Sequence, residues 1–466
     1  VGNRAQPECH PVGSARRFLG NRRTSKHRSV IESMQFFSEN GDMVMGCLAY
    51  VSLLPIYATW IVLLMLWAYL TARIANWVGG WIAMRGFVRY TGSQWVERAR
   101  LASPPRAATA MGVIILGVVF GTAIGGWATV WLEGHNVGMM PYPPMLAAAC
   151  LGAIHGRVRI CARFVQWPVT LGRWLTATFT VMVLFPALPV VTVLAVIMPS
   201  TWSGATVAYL VAGGLLLAGP TAWNIRLGRM LCLIRPASPR VARIVAVIAE
   251  RSQCQPLAVW EMSLLMANAV AFPTQRQIAI TSEATASMND AELAAISAHE
   301  LGHLQEDRST HWMRQLASMS WLPLCLIKPV HAYWEMHGVM ALLVIVWISS
   351  SWFSRFSRKM EYAADAAAQR TQSDPAAYAK ALERLHEVNL MPAVHDSRTQ
   401  TYPHLYDRML AAGVQPDYPR PLPPPRLPAL AGVLVALFAG CASSVLLIAL
   451  HLWGPLAMIW HRLNSM

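Results

Sequence analysis

From Met43 to Ala72 the chain carries no charged residue, and from Ala108 to Leu132 it carries none either. A helix needs roughly 20 apolar residues to cross a bilayer, so each run predicts a spanning helix. The uncharged stretch from Trp174 to Ile225 is long enough for two helices, and the break from Pro199 to Gly204 divides it into a tight hairpin. The apolar piece from Met145 to Ile154 is too short to span unless it continues past Arg157. It reads as a re-entrant or interfacial segment, or as a span without clear ends. Leu430 to Leu450 predicts a last span.

After Ile225 the pattern changes, with Arg226, Arg229, Arg235, Arg240 and Arg243 opening a mixed polar region that runs to about Arg314. A second membrane hairpin is expected at about 315–354, with the polar stretch Lys328 to His337 as its tip and Arg355, Arg358 and Lys359 at its return. Residues 360–426 form a second soluble segment ending in the Pro-rich linker Pro419 to Pro428. The predicted organisation is a basic, disordered tail over 1–42 and an N-terminal transmembrane region over 43–225. A soluble domain over 226–426, interrupted by the hairpin, and a C-terminal transmembrane segment over 427–466 complete it. The fold class is mainly α, a polytopic helical membrane protein.

Composition agrees with lipid as part of the solvent. Of the 466 residues, 55% are hydrophobic and 13% charged, against about 25% charged in an ordinary soluble domain. A plain soluble globule is excluded. The net charge of +15 comes largely from Arg placed beside apolar runs, the positive-inside signal of topology. Nucleic-acid binding would want basic residues clustered on one face with aromatics between them, so no nucleic-acid partner is expected. Basic residues crowd the start of the first soluble segment and the end of the second hairpin, which puts both segments on the cytoplasmic side, where they can pack together. The eight cysteines are scattered without a CxxC pair, which argues against a disulfide framework or a zinc knuckle.

The chemistry lies in the soluble segments. Asn289 to Arg308 reads NDAELAAISAHELGHLQEDR, a helix with Asn289 as N-cap and Glu292 as its capping-box partner. Inside it is HELGH, His299 to His303. Residues i and i+4 share a helix face, so the two imidazoles converge at the spacing a tetrahedral zinc needs, and Glu300 can reach the water beside the metal. At this His and Glu content chance gives HExxH in roughly one such chain in a hundred. The bland reading is a helix with two surface histidines. Lys359 to Arg370, KMEYAADAAAQR, predicts a second helix with Glu361 and Asp365 on one face. A catalytic zinc wants three protein ligands; Glu361 can be the third, and Asp365 can accept the N–H of a zinc-binding imidazole. Alone, Glu361 and Asp365 would read as a solvated helix face near Arg358 and Lys359.

HELGH and EYAAD together resemble the membrane-embedded zinc metallopeptidases of the HtpX and CAAX-prenyl-protease type, gluzincins with HExxH on one helix and a Glu ligand in a later ExxxD motif. The resemblance covers about Pro239 to Gly413. It includes the hairpin inserted between the two motifs and the segment NAVAFPTQRQIAIT, Asn268 to Thr281, similar to the family's Asn-Ala strand followed by a second strand. It implies a cytoplasmic gluzincin-type domain containing a small β-sheet, one Zn2+ per chain held by His299, His303 and Glu361, and Glu300 as catalytic base. It also implies that Asn268, Ala269, Val270 and Ala271 form an exposed edge along which substrate lies extended, a mode that binds peptides with little sequence demand. An ordinary short hairpin is the bland alternative.

The family's His-Pro motif, with an Arg six residues after the His, matches TYPHLYDRML, Thr401 to Leu410, where Arg408 fits but Tyr402 stands at the His position. Arg408 and Tyr402 are then the expected oxyanion stabilisers, with His404 competing with Tyr402 and a surface turn as the bland reading. The other histidines, including His311, His331, His337 and His386, have no ligand spacing and are expected to be structural or interfacial.

The expectation is an integral, multi-pass protein of a bacterial inner membrane that hydrolyses peptide bonds in misfolded or membrane-associated proteins, with its active site facing the cytoplasm. Its partners are protein or peptide substrates and the lipid bilayer. The rivals are a non-catalytic membrane scaffold or transporter, which predicts buried charges within the spans that the long spans lack, and a BlaR-type regulatory sensor protease, whose Glu motif fits less well.

Overall fold

The computed structural model of the protein describes residues 59, 62–132, 142–218, 223–372, 374–395 and 403–463. The basic tail, most of the first expected span and Tyr402 lie outside the described residues. The described residues from Met65 onward pack as one unit.

Apolar helices come first. They are α1 (Val62–Ala83), α2 (Arg85–Arg89), α3 (Trp95–Leu132), α4 (Tyr142–Cys161), α5 (Leu171–Leu184), α6 (Ala187–Ile197), α7 (Gly204–Ala218) and α8 (Trp223–Met230). Helix α1 runs past Arg73 to Ala83, beyond the charge-free run, because a single long cationic side chain does not interrupt a hydrogen-bonded backbone and can reach polar surroundings. The Met145 to Ile154 piece is the middle of α4, which continues through Arg157. The stretch expected as a two-helix hairpin breaks at Met198 to Ser203 as the sequence implies, but its first limb is itself bent by 79° between α5 and α6, at Phe185 and Pro186. Proline has no N–H to donate and so disrupts a continuous helix there.

Close approach of small residues joins the helices. A Cβ on Gly79 would stand 2.4 Å from the Gly432 carbonyl oxygen, so α1 and α16 (Arg426–Leu463) touch backbone to backbone, as small residues allow in membrane bundles. Buried Asn76 donates to the carbonyls of Thr109 and Ala153 and ties α1 to α3 and α4.

The part of the fold after α8 is built on a four-stranded mixed sheet in the order β1-β2-β4-β3, from β1 (Ile234–Pro236), β2 (Ala258–Met262), β3 (Ala269–Phe272) and β4 (Gln277–Thr281). Strands β2 and β4 are parallel; β1 and β3 pair antiparallel with their neighbours. Successive strand residues face opposite sides. Ile278 and Ile280 therefore enter the core made with α9 (Pro239–Arg251) and α11 (Asp290–Leu304), while Ala279 packs with Trp260, Phe272, Leu184 and Ile225 on the other face. The sheet is thus covered on one side by α9 and α11 and on the other by α5 and α8.

Helix α10 (Ser282–Ser287) leads into α11, and α12 (Arg308–Met319) follows it. Helix α13 (Ile327–Thr371) breaks its geometry at Glu335 (φ 49°, ψ −147°), inside the expected polar tip, and then runs on to the EYAAD motif. Helices α14 (Pro375–Asn389) and α15 (Leu405–Ala411) close the domain. Three helices among the described residues are long and apolar enough to cross a membrane, or up to five if each bent pair is one span. The middle of α13 turns Val344, Ile345, Trp347 and Ile348 outward, as a lipid-facing helix does.

Candidate metal centre

The capping box expected for α11 forms. The Asn289 side chain accepts from the Glu292 N–H at 2.9 Å, and the Glu292 carboxylate accepts from the Asn289 N–H at 2.8 Å. The far end of the same helix is buried, from His299 through Leu304. Its neighbour is α13, and the two approach closely because position 302 has no side chain: a Cβ there would lie 3.1 Å from the Ala367 Cβ and 3.2 Å from the Ala364 Cα. Two Ala-rich faces and one glycine bring Glu361 over HELGH.

The result is a buried triad of ligand atoms. Nε2 of His299 lies 3.5 Å from one Glu361 oxygen, and Nε2 of His303 lies 3.7 Å from the other. Zinc bonds of about 2.0–2.2 Å set tetrahedral ligands about 3.4 Å apart, so the donor set fits a zinc ion. Among the described residues this is the one such group of His, Cys, Asp and Glu. Glu300, next to His299 in the same helix, is also buried.

Each imidazole is held from behind in the same way. His299 Nδ1 lies 3.0 Å from Asp365 Oδ1 and 2.8 Å from the Tyr378 hydroxyl, and Arg408 grips Asp365 with two N–H groups while also donating to Tyr378 at 2.8 Å. His303 Nδ1 lies 2.7 Å from Glu306 Oε1, and Arg314 grips Glu306 with two N–H groups. A proton on each Nδ1, donated to a carboxylate, leaves the Nε2 lone pair toward the metal position. Burial pushes the His299 pKa down, but the Asp365 and Glu361 carboxylates outweigh it and carry it up to about 9. Burial pushes Glu306 up, and hydrogen bonds from Arg314 and His303 outweigh that and hold it below the usual carboxylate range. Burial raises the Tyr378 hydroxyl well above its ordinary pKa, with Asp365 adding to it against Arg408, so it stays protonated.

Of the residues singled out from sequence, the structure brings His299, Glu300, His303, Glu361, Asp365 and Arg408 together. Arg408 is buried, and its guanidinium is engaged by Asp365 and Tyr378, so it supports a ligand and does not reach into open space. His404 stands at the N-cap position of α15 without a side-chain capping bond, and its Nδ1 accepts from the His395 N–H at 3.0 Å. Strand β3 lies at the sheet edge against α11, one residue later than expected. Asn268 precedes it, with its N–H donated to the Thr281 hydroxyl and its carbonyl accepting from the Thr281 N–H. Antiparallel pairs alternate between bonded and non-bonded, so this register turns the N–H and C=O of Ala269 and Ala271 to the open edge.

Three supporting residues were not foreseen. Glu306 carried a signal, since it stands three residues after His303. Arg314 and Tyr378 carried none, because their places depend on how α12 and α14 pack.

Residues 237–413 match the family model described as Peptidase family M48. No curated protein matches the chain. The chain thus carries, over these residues, a domain similar to gluzincin-type metallopeptidases.

Proposed function

We propose that the protein is a membrane-embedded zinc metalloendopeptidase of the HtpX or CAAX-prenyl-protease type, acting on misfolded or membrane-associated proteins. The observation that carries the reading is the buried convergence of His299, His303 and Glu361, with Glu300 buried beside His299, within the segment that matches a peptidase family.

His299, His303 and Glu361 would hold zinc, which supplies Lewis-acid polarisation of a carbonyl and water made acidic near neutrality. Glu300 takes the proton of the attacking water and returns it to the leaving amine. Asp365 and Glu306 fix the two imidazoles in the tautomer that points Nε2 inward. The open edge at Ala269 and Ala271 pairs with an extended substrate backbone, which orients the scissile bond beside α11. Tyr402 stands two positions from the N-cap of α15, and we assign it the oxyanion role implied by the family resemblance; Arg408, held by Asp365 and Tyr378, supports His299 instead.

Helix α13 supports the membrane-associated substrate class. Glu361 lies nine residues beyond the exposed Trp352 on the same helix, about 14 Å at helical rise, with Arg355, Arg358 and Lys359 between. A site so close to an outward apolar stretch works at a bilayer surface, and the cationic residues favour the cytoplasmic side.

The test compares the detergent-purified, zinc-restored chain with its Glu300→Gln variant on an unfolded protein, with bound zinc quantified in both. Equal zinc and cleavage by the wild type alone are expected. Stoichiometric zinc in neither would overturn the ligand assignment and return the chain to the scaffold class.

A further inference from the structure

A cavity of about 330 Å³ lies where the membrane helices meet the sheet edge. Its apolar walls come from the bend between α5 and α6 and from the facing ends of α7 and α8. Its floor is the end of β3, Ala271 and Phe272, and its polar wall is α12, including His311 and Arg314. Most of the apolar wall lies outside the segment that matches the peptidase family.

The lining residue Asn224 is more than nine-tenths buried and donates its amide N–H to the Leu184 carbonyl at 2.9 Å, which ties α8 to the end of α5 and holds this wall in place.

The position of the cavity completes the argument. Ala271, which turns its backbone groups to the open edge, is itself part of the lining. A chain paired along β3 therefore reaches the cavity without leaving the strand. The volume is at the low end for ligand pockets, roughly 300–1,000 Å³, which suits a large side chain and not a folded partner.

We infer that this cavity is a specificity subsite that takes a large apolar side chain, Leu or Phe, of an extended polypeptide paired along β3. The inference rests on the peptidase reading for the identity of the bound chain as substrate. It makes apolar, membrane-derived sequences the preferred ones.

Two measurements test it. The first uses the zinc-loaded Glu300→Gln chain with a decapeptide bearing a photoreactive leucine, so that binding is read without turnover. Crosslinks on the cavity walls, at Ala187, Leu217 or Thr274, are expected. Crosslinks confined to other surfaces, or a copurified lipid in the cavity that the peptide does not displace, would overturn the subsite. The second measures kcat/KM for two peptides differing only in Leu against Ala at that position. Filling the cavity with Ala187→Trp should lower the Leu-over-Ala ratio by about tenfold or more, the scale of a lost apolar contact; an unchanged ratio counts against the subsite. If the wild type cuts neither peptide while the crosslinks map to the cavity, the peptidase reading falls and the peptide site stands.

Discussion

The ring of Tyr378 stacks on that of His299 with an interplanar angle of 12° while its hydroxyl lies 2.8 Å from His299 Nδ1. One side chain thus fixes both the plane and the tautomer of a metal-binding imidazole. The same hydroxyl joins Asp365 and Arg408, so four buried groups share one polar network.

Tyr378→Phe keeps the stacking and removes the network's centre. Arg408 and Asp365 each lose a partner in a buried setting, which costs about 1–3 kcal/mol. Denaturant unfolding followed by tryptophan fluorescence should show that loss, with zinc still bound; stability equal to wild type would mean that the hydroxyl is dispensable to the network.

Glu306→Ala removes the carboxylate behind His303 and leaves Arg314 without its partner. Losing the group that orients a metal-binding imidazole lowers metal affinity by about 10–100-fold. Zinc competition with a chelator of known affinity measures it, and an unchanged affinity would show that His303 is oriented by other means.

Gly302→Val places a branched side chain against the Ala364 backbone. Backbone cannot yield as a flexible side chain can, so α13 shifts and carries Glu361 with it, at a cost of about 1–3 kcal/mol in packing. Zinc affinity should fall in Gly302→Val and fall less in Gly302→Ala. Equal affinities for the two variants and the wild type would contradict the close approach.

Acid should weaken the domain through His386. It is buried, with Nδ1 2.9 Å from the Leu382 carbonyl, and burial pushes its pKa down to about 3. His395 is pushed down to about 4, chiefly by burial. A folded-state pKa below the unfolded value of about 6.5 means that the unfolded chain takes up protons first as pH falls. The stability contribution is full above about pH 6.5 and is lost progressively toward pH 3. Melting temperature measured across that window should fall, and His386→Met should flatten the fall; an equally steep curve in that variant would place the effect elsewhere.

The local features were legible because they depend on local spacing. The capping box is set by residues 289 and 292, and the i, i+4 imidazoles of HELGH share a face by helical geometry alone. EYAAD likewise puts Glu361 and Asp365 on one face of α13. Charge-free runs marked the apolar helices, although not their ends, since backbone hydrogen bonds continue through Arg73 and Arg157. Only the tertiary structure decided which groups meet across elements. The convergence of Glu361 with the histidines depends on the Gly302 contact between α11 and α13, and Tyr378 enters the site through the docking of α14. Arg314 returns to Glu306 because the chain turns between α11 and α12. The cavity exists because a bent helix pair from the apolar region closes over the end of β3. Contacts between residues far apart in sequence leave no periodic trace in the chain, because packing, not spacing, brings them within bonding distance.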